Sequence, residues 1–285
     1  MLLFADSGST KTDWILTDVG GTEILRSQTI GLNPLFVTEK QIIEYCRNII
    51  PKKINSIDIE HVYIYSAGCG NEKSRLWLKQ IIEDCFPVAI VHINTDILGA
   101  ARAIFQDRRG IAAIIGTGSN ICVYNGGDIF RKVNSLGYIL GDEGSGAFLG
   151  KELLKRYYNS KFNHGLQTII KEDLALKHSD VIENLYKNPY PGRYLASFTP
   201  FIFENRMHPD IQDILYFSFN EFFDNYIRLI PERNDLTIGY CGSVAFYFQD
   251  IITEISNKRK YKIEGFIKQP LEGIVKYHMD NSELI

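Results

Sequence analysis

The sequence is short of the features that would make it a disulfide-stapled, membrane-spanning or nucleic-acid-binding protein. Its five cysteines, Cys46, Cys69, Cys85, Cys122 and Cys241, stand singly, with no C-x-x-C pair and no histidine at a metal-ligand interval. That spacing excludes a disulfide framework or a zinc knuckle and suits reduced thiols, most of them small core residues. Charge of one sign is also lacking: 31 Lys and Arg face 34 Asp and Glu, a net of -3. Such a balance leaves no electrostatic footprint for nucleic acid or an anionic membrane. No apolar run approaches bilayer length. The opening Met1-Leu2-Leu3-Phe4 turns polar at Asp6-Ser7 without a basic flank, so no secretory leader is expected and the chain is expected to stay in the cytoplasm. Low-complexity stretches and extended linkers are missing too. A small soluble substrate fits what remains.

With 285 residues and 45% apolar content, the chain is large enough for two cores, and two domains sharing a deep cleft are the first expectation. Apolar runs bounded by glycine and Asp/Ser clusters predict three successive strands: Leu2 to Ala5, Trp14 to Asp18 and Glu23 to Ile30. Thr38 and Gln41 make a capping box, and Ile42, Ile43, Cys46, Ile49 and Ile50 follow at helical spacing. The pattern then alternates: strand His61 to Ser66, helix Glu72 to Cys85, strand Ala89 to Ile93, helix Asp96 to Phe105. Three strands recur at Ile111 to Gly116, Asn120 to Tyr124 and Ile129 to Val133. The recurrence is of pattern, not of residues, and predicts two similar α/β halves. Residues 144 to about 232 read as helical and rich in Tyr and Phe, with a break at Asn188-Pro189-Tyr190-Pro191-Gly192. This stretch reads as an insertion that shapes the cleft or a homodimer contact. A strand at Leu236 to Cys241, a helix after Gly242-Ser243, a strand near Tyr261 to Gly265 and a helix after Pro270 complete the chain.

Two segments carry the pattern of an anion cradle. Asp6-Ser7-Gly8-Ser9-Thr10-Lys11-Thr12-Asp13 falls between the first two strands. Glycine permits a tight hairpin whose N–H groups converge, and Ser9, Thr10 and Lys11 add donors. It is not a Walker A loop, which needs Gly directly before the Lys and a helix after it. Gly116-Thr117-Gly118-Ser119-Asn120 occupies the matching turn of the second half. Either segment alone is readable as an ordinary polar turn. Facing one another, the pair would grip the β- and γ-phosphates of ATP while Mg²⁺ neutralises their charge.

These two hairpins run in order with Gly31-Leu32-Asn33, Asn94-Thr95-Asp96 and Gly99-Ala100, Gly141-Asp142-Glu143-Gly144-Ser145, and Gly242-Ser243-Val244-Ala245. On these motifs the chain resembles the N-acetylglucosamine kinases, in the branch of the actin-like ATPase superfamily that also holds the BadF/BadG-type ATPases. The resemblance implies an α/β fold of two ribonuclease H-like domains flanking a nucleotide cleft. Residues 1–107 would form the N-terminal domain and 108–270 the C-terminal domain, with a helical insertion at about 146–232; a last helix, 271–285, would pack back on the first domain. It implies ATP-dependent phosphorylation of an amino sugar, with ATP and Mg²⁺ as cofactors.

The resemblance also distributes roles. Asp96 becomes the general base that takes the proton of the attacking sugar hydroxyl; read by itself, it is equally a helix cap. Asp6 becomes the carboxylate that holds Mg²⁺ through bound waters; Asp13 is a weaker candidate for that role and reads more readily as a surface turn residue. Gly8, Ser9, Thr10, Lys11, Gly116, Thr117, Gly118 and Ser119 serve the phosphates, and Gly242 and Ser243 the adenosine. Asn33, Thr117, Asp142 and Glu143 read the sugar beside Asp96, although Asp142 and Glu143 alone fit a capped helix start. Leu136 stands where mammalian-type N-acetylglucosamine kinases carry Trp, which opens the pocket to N-acetylmuramic acid or glucosamine.

Two other classes fit the motifs less well. A BadF-type ATPase that activates a partner enzyme needs cysteines placed to hold an iron–sulfur cluster, and these are dispersed. A sugar-sensing regulator of the same fold carries a DNA-binding helix-turn-helix ahead of the first strand, and here that strand starts at residue 2. The related sugar-kinase branch with a zinc-binding cysteine cluster is excluded by the cysteine spacing.

Overall fold

The three opening strands form one antiparallel run: β1 (Leu2–Ser7), β2 (Lys11–Thr17) and β3 (Glu23–Ile30). β1 and β2 are longer than their apolar cores predict, because pairing continues into the polar hairpin as far as Ser7 opposite Thr12. These strands belong to a computed structural model that describes residues 1–49 and 56–281. Ile50, and the end of the predicted last helix beyond residue 281, lie outside the described residues.

β4 (His61–Ser66) and β5 (Ile90–Thr95) complete a sheet of order β3-β2-β1-β4-β5, with β1, β4 and β5 parallel. α1 (Glu39–Ile49) starts at the capping box, where the Thr38 N–H donates to Gln41 Oε1 at 2.9 Å. α2 (Glu72–Cys85) and α3 (Asp96–Phe105) begin at Asn71 and Thr95, whose side chains accept N–H groups of the first turn. Alternation along the strands sorts the faces. Leu3, Ala5, Trp14, Leu16, Val62, Ile64 and Val91 point one way and pack with Ile42, Leu78, Ile81 and Ile82 of α1 and α2. Burying each Leu, Ile or Val among them contributes about 1.5–3 kcal/mol.

The same order recurs. β6 (Gly110–Ile115), β7 (Ser119–Tyr124), β8 (Ile129–Lys132), β9 (Ile238–Cys241) and β10 (Ile263–Ile267) form a sheet of order β10-β9-β6-β7-β8. Between β8 and β9 run α4 (Gly137–Leu140), α5 (Gly146–Tyr158), α6 (His164–Leu174), α7 (His178–Tyr186), α8 (Pro191–Ala196), α9 (Thr199–Glu204) and α10 (Pro209–Asn225). The Pro-rich break becomes the start of α8, with Pro191 in its first turn, where a missing N–H costs nothing. Phe198, Phe201, Phe219, Phe222 and Phe223 are buried, so packing within the protein accounts for much of this region's aromatic content. α11 (Ser243–Tyr247), α12 (Gln249–Lys258) and α13 (Leu271–Asp280) follow.

The chain divides into two compact units. Unit 1 comprises Met1–Ala112, Cys122–Arg131 and the chain from Gln269 onward; unit 2 comprises Ala113–Ile121 and Lys132–Lys268. In unit 1, α13 packs on α3 and β1, and its His278 stacks among Phe4, Tyr63 and Tyr65. Four cysteines are buried, Cys85 is half-buried, and all five are free thiols. Among the described residues, no helix is long and apolar enough to cross a membrane.

Candidate functional site

The carboxyl ends of β1, β4 and β5 align at Ser7, Ser66 and Thr95. That edge is where ligands bind in parallel sheets, because connections there are free to shape a crevice and helix N-termini face it. Three of the predicted motifs leave this edge of unit 1: the Gly8–Lys11 hairpin, the Asn33 segment packed against it, and Asp96.

The hairpin is closed by the Gly8 N–H donating to the Lys11 carbonyl at 3.0 Å. Ser7 fastens it from beneath, its hydroxyl oxygen accepting from Thr12 Oγ1 and from the Leu32 N–H, each at 2.8 Å. Gly31 is required here, since a Cβ would overlap the Gly8 carbonyl oxygen. Asn33 is buried; its Nδ2 donates to Ser9 Oγ at 3.0 Å and its Oδ1 accepts the Leu35 N–H at 3.0 Å. The Asn33 amide thus ties the loop after β3 to the hairpin.

Asp96 is the first residue of α3, and the capping duty falls elsewhere. Thr95 Oγ1 accepts the Leu98 N–H at 3.4 Å, while Asp96 Oδ1 accepts its neighbour Ile97 N–H at 2.8 Å. Asp96 therefore stands in the first helical turn, where the helix dipole stabilises negative charge. Asp6 lies one residue before the edge. Burial, then the charges of Asp96 and Asp13, push its carboxyl up to about 7; Lys11 pulls the other way and Glu272 adds a smaller push.

Asp13 is not at a surface turn. It is a strand residue directly opposite Asp6, with its side chain only 14% exposed. The hairpin is tight enough to bring residue 13 into register with residue 6. Its carboxylate takes Lys11 Nζ at 2.7 Å, Gln28 Nε2 at 2.6 Å and Gln269 Nε2 at 3.0 Å. Asp13 is thus fully engaged by its three donors, which leaves Asp6 and Asp96 as the carboxylates of this edge that could face a cation. Among the described residues no cluster of three or more His, Cys, Asp or Glu forms a full metal cage; magnesium, which keeps most of its waters, does not need one.

Unit 2 gathers the glycine motifs. At the β6–β7 turn the Gly116 N–H donates to the Gly118 carbonyl at 2.9 Å. The start of α5 is bonded to the same turn, Gly146 N–H to the Gly116 carbonyl at 2.8 Å and Ala147 N–H to the Thr117 carbonyl at 3.0 Å. Gly242, at φ 114°, forms the corner into α11, with exposed Ser243 as that helix's first residue. A Cβ on Gly242 would meet the Ile115 carbonyl oxygen at 2.5 Å and the Gly116 nitrogen at 3.3 Å. Segments 116–119, 141–146 and 242–243 are thereby packed together.

Asp142 is buried and braces this turn. Its Oδ1 accepts the Ser119 N–H at 3.2 Å and Ser135 Oγ at 3.3 Å, and its own N–H donates to the Tyr226 hydroxyl at 3.2 Å. Burial pushes its carboxyl up, while the bonds from Ser119 and Ser135 pull it down. The Ser119 hydroxyl is buried beside the Tyr226 hydroxyl. Glu143 is less buried and accepts from Asn225 Nδ2 at 3.3 Å.

Gln28, Gln269, Ser135 and Tyr226 carry no motif of their own and were missed from sequence. Gln28 alone had a readable signal, since it follows Asp13 by the two-strand spacing that places it across β2–β3. The others arrive from distant segments.

Comparison with known proteins adds to this geometry. No family model matches the chain. It is 36% identical to a candidate N-acetylglucosamine kinase from Porphyromonas gingivalis of known structure, with a TM-score of 0.92, covering 99% of this chain and 100% of that one. It is 33% identical over 131 residues to the N-acetylmuramic acid/N-acetylglucosamine kinase of Clostridium acetobutylicum, a match spanning 42% of this chain and 42% of the relative's length. A ROK family glucokinase from Streptomyces griseus, solved with glucose and AMPPNP, shares the fold at 17% identity and a TM-score of 0.56, covering 97% of each chain.

Proposed function

The chain belongs to the N-acetylglucosamine kinase-like family with an actin-like ATPase fold, and we propose that it transfers the γ-phosphoryl group of ATP to a hydroxyl of an amino sugar, N-acetylglucosamine or N-acetylmuramic acid. The observation that carries this reading is Asp96, placed at the ligand edge beside Asp6 and relieved of capping by Thr95. A carboxylate so placed accepts the proton of an incoming hydroxyl, the general-base contribution that phosphoryl transfer to a weak nucleophile needs.

The other residues take positions consistent with that step. Gly8 to Lys11 and Gly116 to Ser119 offer backbone N–H groups, hydroxyls and one ammonium to phosphate oxygens. Asp6 is the residue that would hold magnesium, through bound waters, and the ion would supply charge neutralisation at the phosphate oxygens. Gly242 and Ser243 form the adenosine corner, where the missing Cβ of Gly242 lets the turn pack on Ile115 and Gly116. Asn33, Thr117 and Glu143 read the sugar hydroxyls, and Asp142 acts in the same task mainly by bracing the 116–119 turn. Exposed Leu136, in place of an aromatic wall, leaves room for the lactyl ether of N-acetylmuramic acid.

The test is ADP release from Mg-ATP in a coupled assay with N-acetylglucosamine, N-acetylmuramic acid, glucosamine and glucose offered separately. Turnover that requires an N-acetylated amino sugar supports the reading and names the acceptor. Turnover indifferent to every sugar overturns it in favour of an ATPase.

A further inference from the structure

Asp13 has no part in the step described above, yet its setting is built. Like charges directly opposite in an antiparallel pair are destabilising, and Asp13 faces Asp6 across β1–β2. A neutral residue would relieve that repulsion. Instead the carboxylate is kept and its oxygens are filled by donors from three segments: Lys11 on its own strand, Gln28 on β3, and Gln269 just before α13. Gln269 is also the first residue of the chain's return to unit 1.

The two glutamines are uncharged, so they fix the Asp13 carboxylate without competing with Lys11 for its charge. Lys11 is two residues from Asp13 on the same strand, hence on the same face. Its ammonium has three protons, one of which is enough for the 2.7 Å contact. The side chain stays 43% exposed, so it is held and still open to a ligand. A lysine on a free four-carbon stem loses its rotamer freedom when it grips phosphate; one already held has lost it beforehand.

We propose that Asp13 is a positioning residue that aims the Lys11 ammonium at the phosphate-binding hairpin, with Gln28 and Gln269 holding it for that task. The inference rests on the kinase reading of the same hairpin. It is tested by isothermal titration of the whole protein with ATP and, separately, with adenosine. Asp13→Asn should weaken ATP binding about tenfold and leave adenosine binding unchanged. The double variant Asp13→Asn/Lys11→Ala should bind ATP no more weakly than Lys11→Ala alone, because Asp13 acts only through Lys11. Gln269→Ala should give a smaller loss, about two- to threefold, and serves if Asp13→Asn fails to fold in a thermal melt. Unchanged ATP affinity in the folded single variants, or additive losses in the double variant, would overturn the proposal while leaving the kinase reading intact. A wild-type protein that binds adenosine and ATP equally would likewise overturn the proposal, whereas sugar-indifferent ADP release would overturn the kinase reading on which it rests.

Discussion

In the sheet β3-β2-β1-β4-β5, the central strand carries Asp6 to the ligand edge; in the sheet β10-β9-β6-β7-β8, the corresponding strand β6 ends in Ile115 and runs into Gly116. One connectivity has been furnished in two ways. Unit 1 presents side-chain charge, in Asp6, Asp13, Asp96 and Lys11. Unit 2 presents closely packed backbone, at Gly116, Gly146 and Gly242, and turns its buried acid Asp142 inward as a brace. A duplicated scaffold can thus be charge-bearing in one copy and amide-bearing in the other. Unit 1 should then be vulnerable to changes of side-chain charge and unit 2 to the addition of a single methyl group.

The largest effect expected from that contrast is on turnover. Asp96→Asn removes a charge from unit 1 without touching the Thr95 cap, so sugar-dependent ADP release should fall by at least about 100-fold while the melting temperature stays near that of the wild type. Loss of fold in place of activity would assign Asp96 to the scaffold. A smaller effect, on stability, should come from unit 2. Gly242→Ala forces a side chain onto a φ of 114° and against the Ile115 carbonyl, and should cost roughly 2–3 kcal/mol in urea unfolding. A neutral outcome would mean that the backbone of unit 2 tolerates what its packing suggests it cannot. A third effect, confined to low pH, concerns acid. Burial, then Arg102, His92 and His61, push the His278 imidazole of unit 1 from 6.5 down to about 3. It is therefore neutral in the fold but takes a proton on unfolding below about 6.5. Its contribution to stability is full above that pH and is lost as pH falls toward 3. His278→Gln should flatten the decline of melting temperature between about pH 6.5 and 4; an unchanged slope would place the acid sensitivity in groups other than His278.

Much of the fold was legible because it is signalled locally. β3, β4, α2 and α3 fall on the predicted residues, each bounded by a turn, a capping side chain or both. The repeated strand order was visible as a recurring pattern, since topology is set by the sequence of apolar runs and turns. Residues whose role depends on pairing were harder to read. Asp13 looked like a turn residue because its neighbours Thr10 to Thr12 are polar, and only the Asp6 register shows that it is a strand residue. The bracing of the 116–119 turn by Asp142 was not legible, because its Oδ1 accepts from Ser119 and Ser135, one of them 23 residues away. Tyr226 and Gln269 reach their partners across 84 and 256 residues, separations at which local pattern carries no information.

The left-handed backbone at Asp142, φ 57°, determines how this position can drift over evolutionary time. Most side chains lose about 1–2 kcal/mol in that conformation, whereas Gly, Asn and Asp enter it readily. The tolerated alphabet at residue 142 is thus filtered by shape before charge is tested. Glycine would keep the turn and abandon Ser119, asparagine would keep the turn and an acceptor oxygen, and valine would fail at the first filter. Natural variation at this residue should accordingly run along a narrow corridor between aspartate and asparagine.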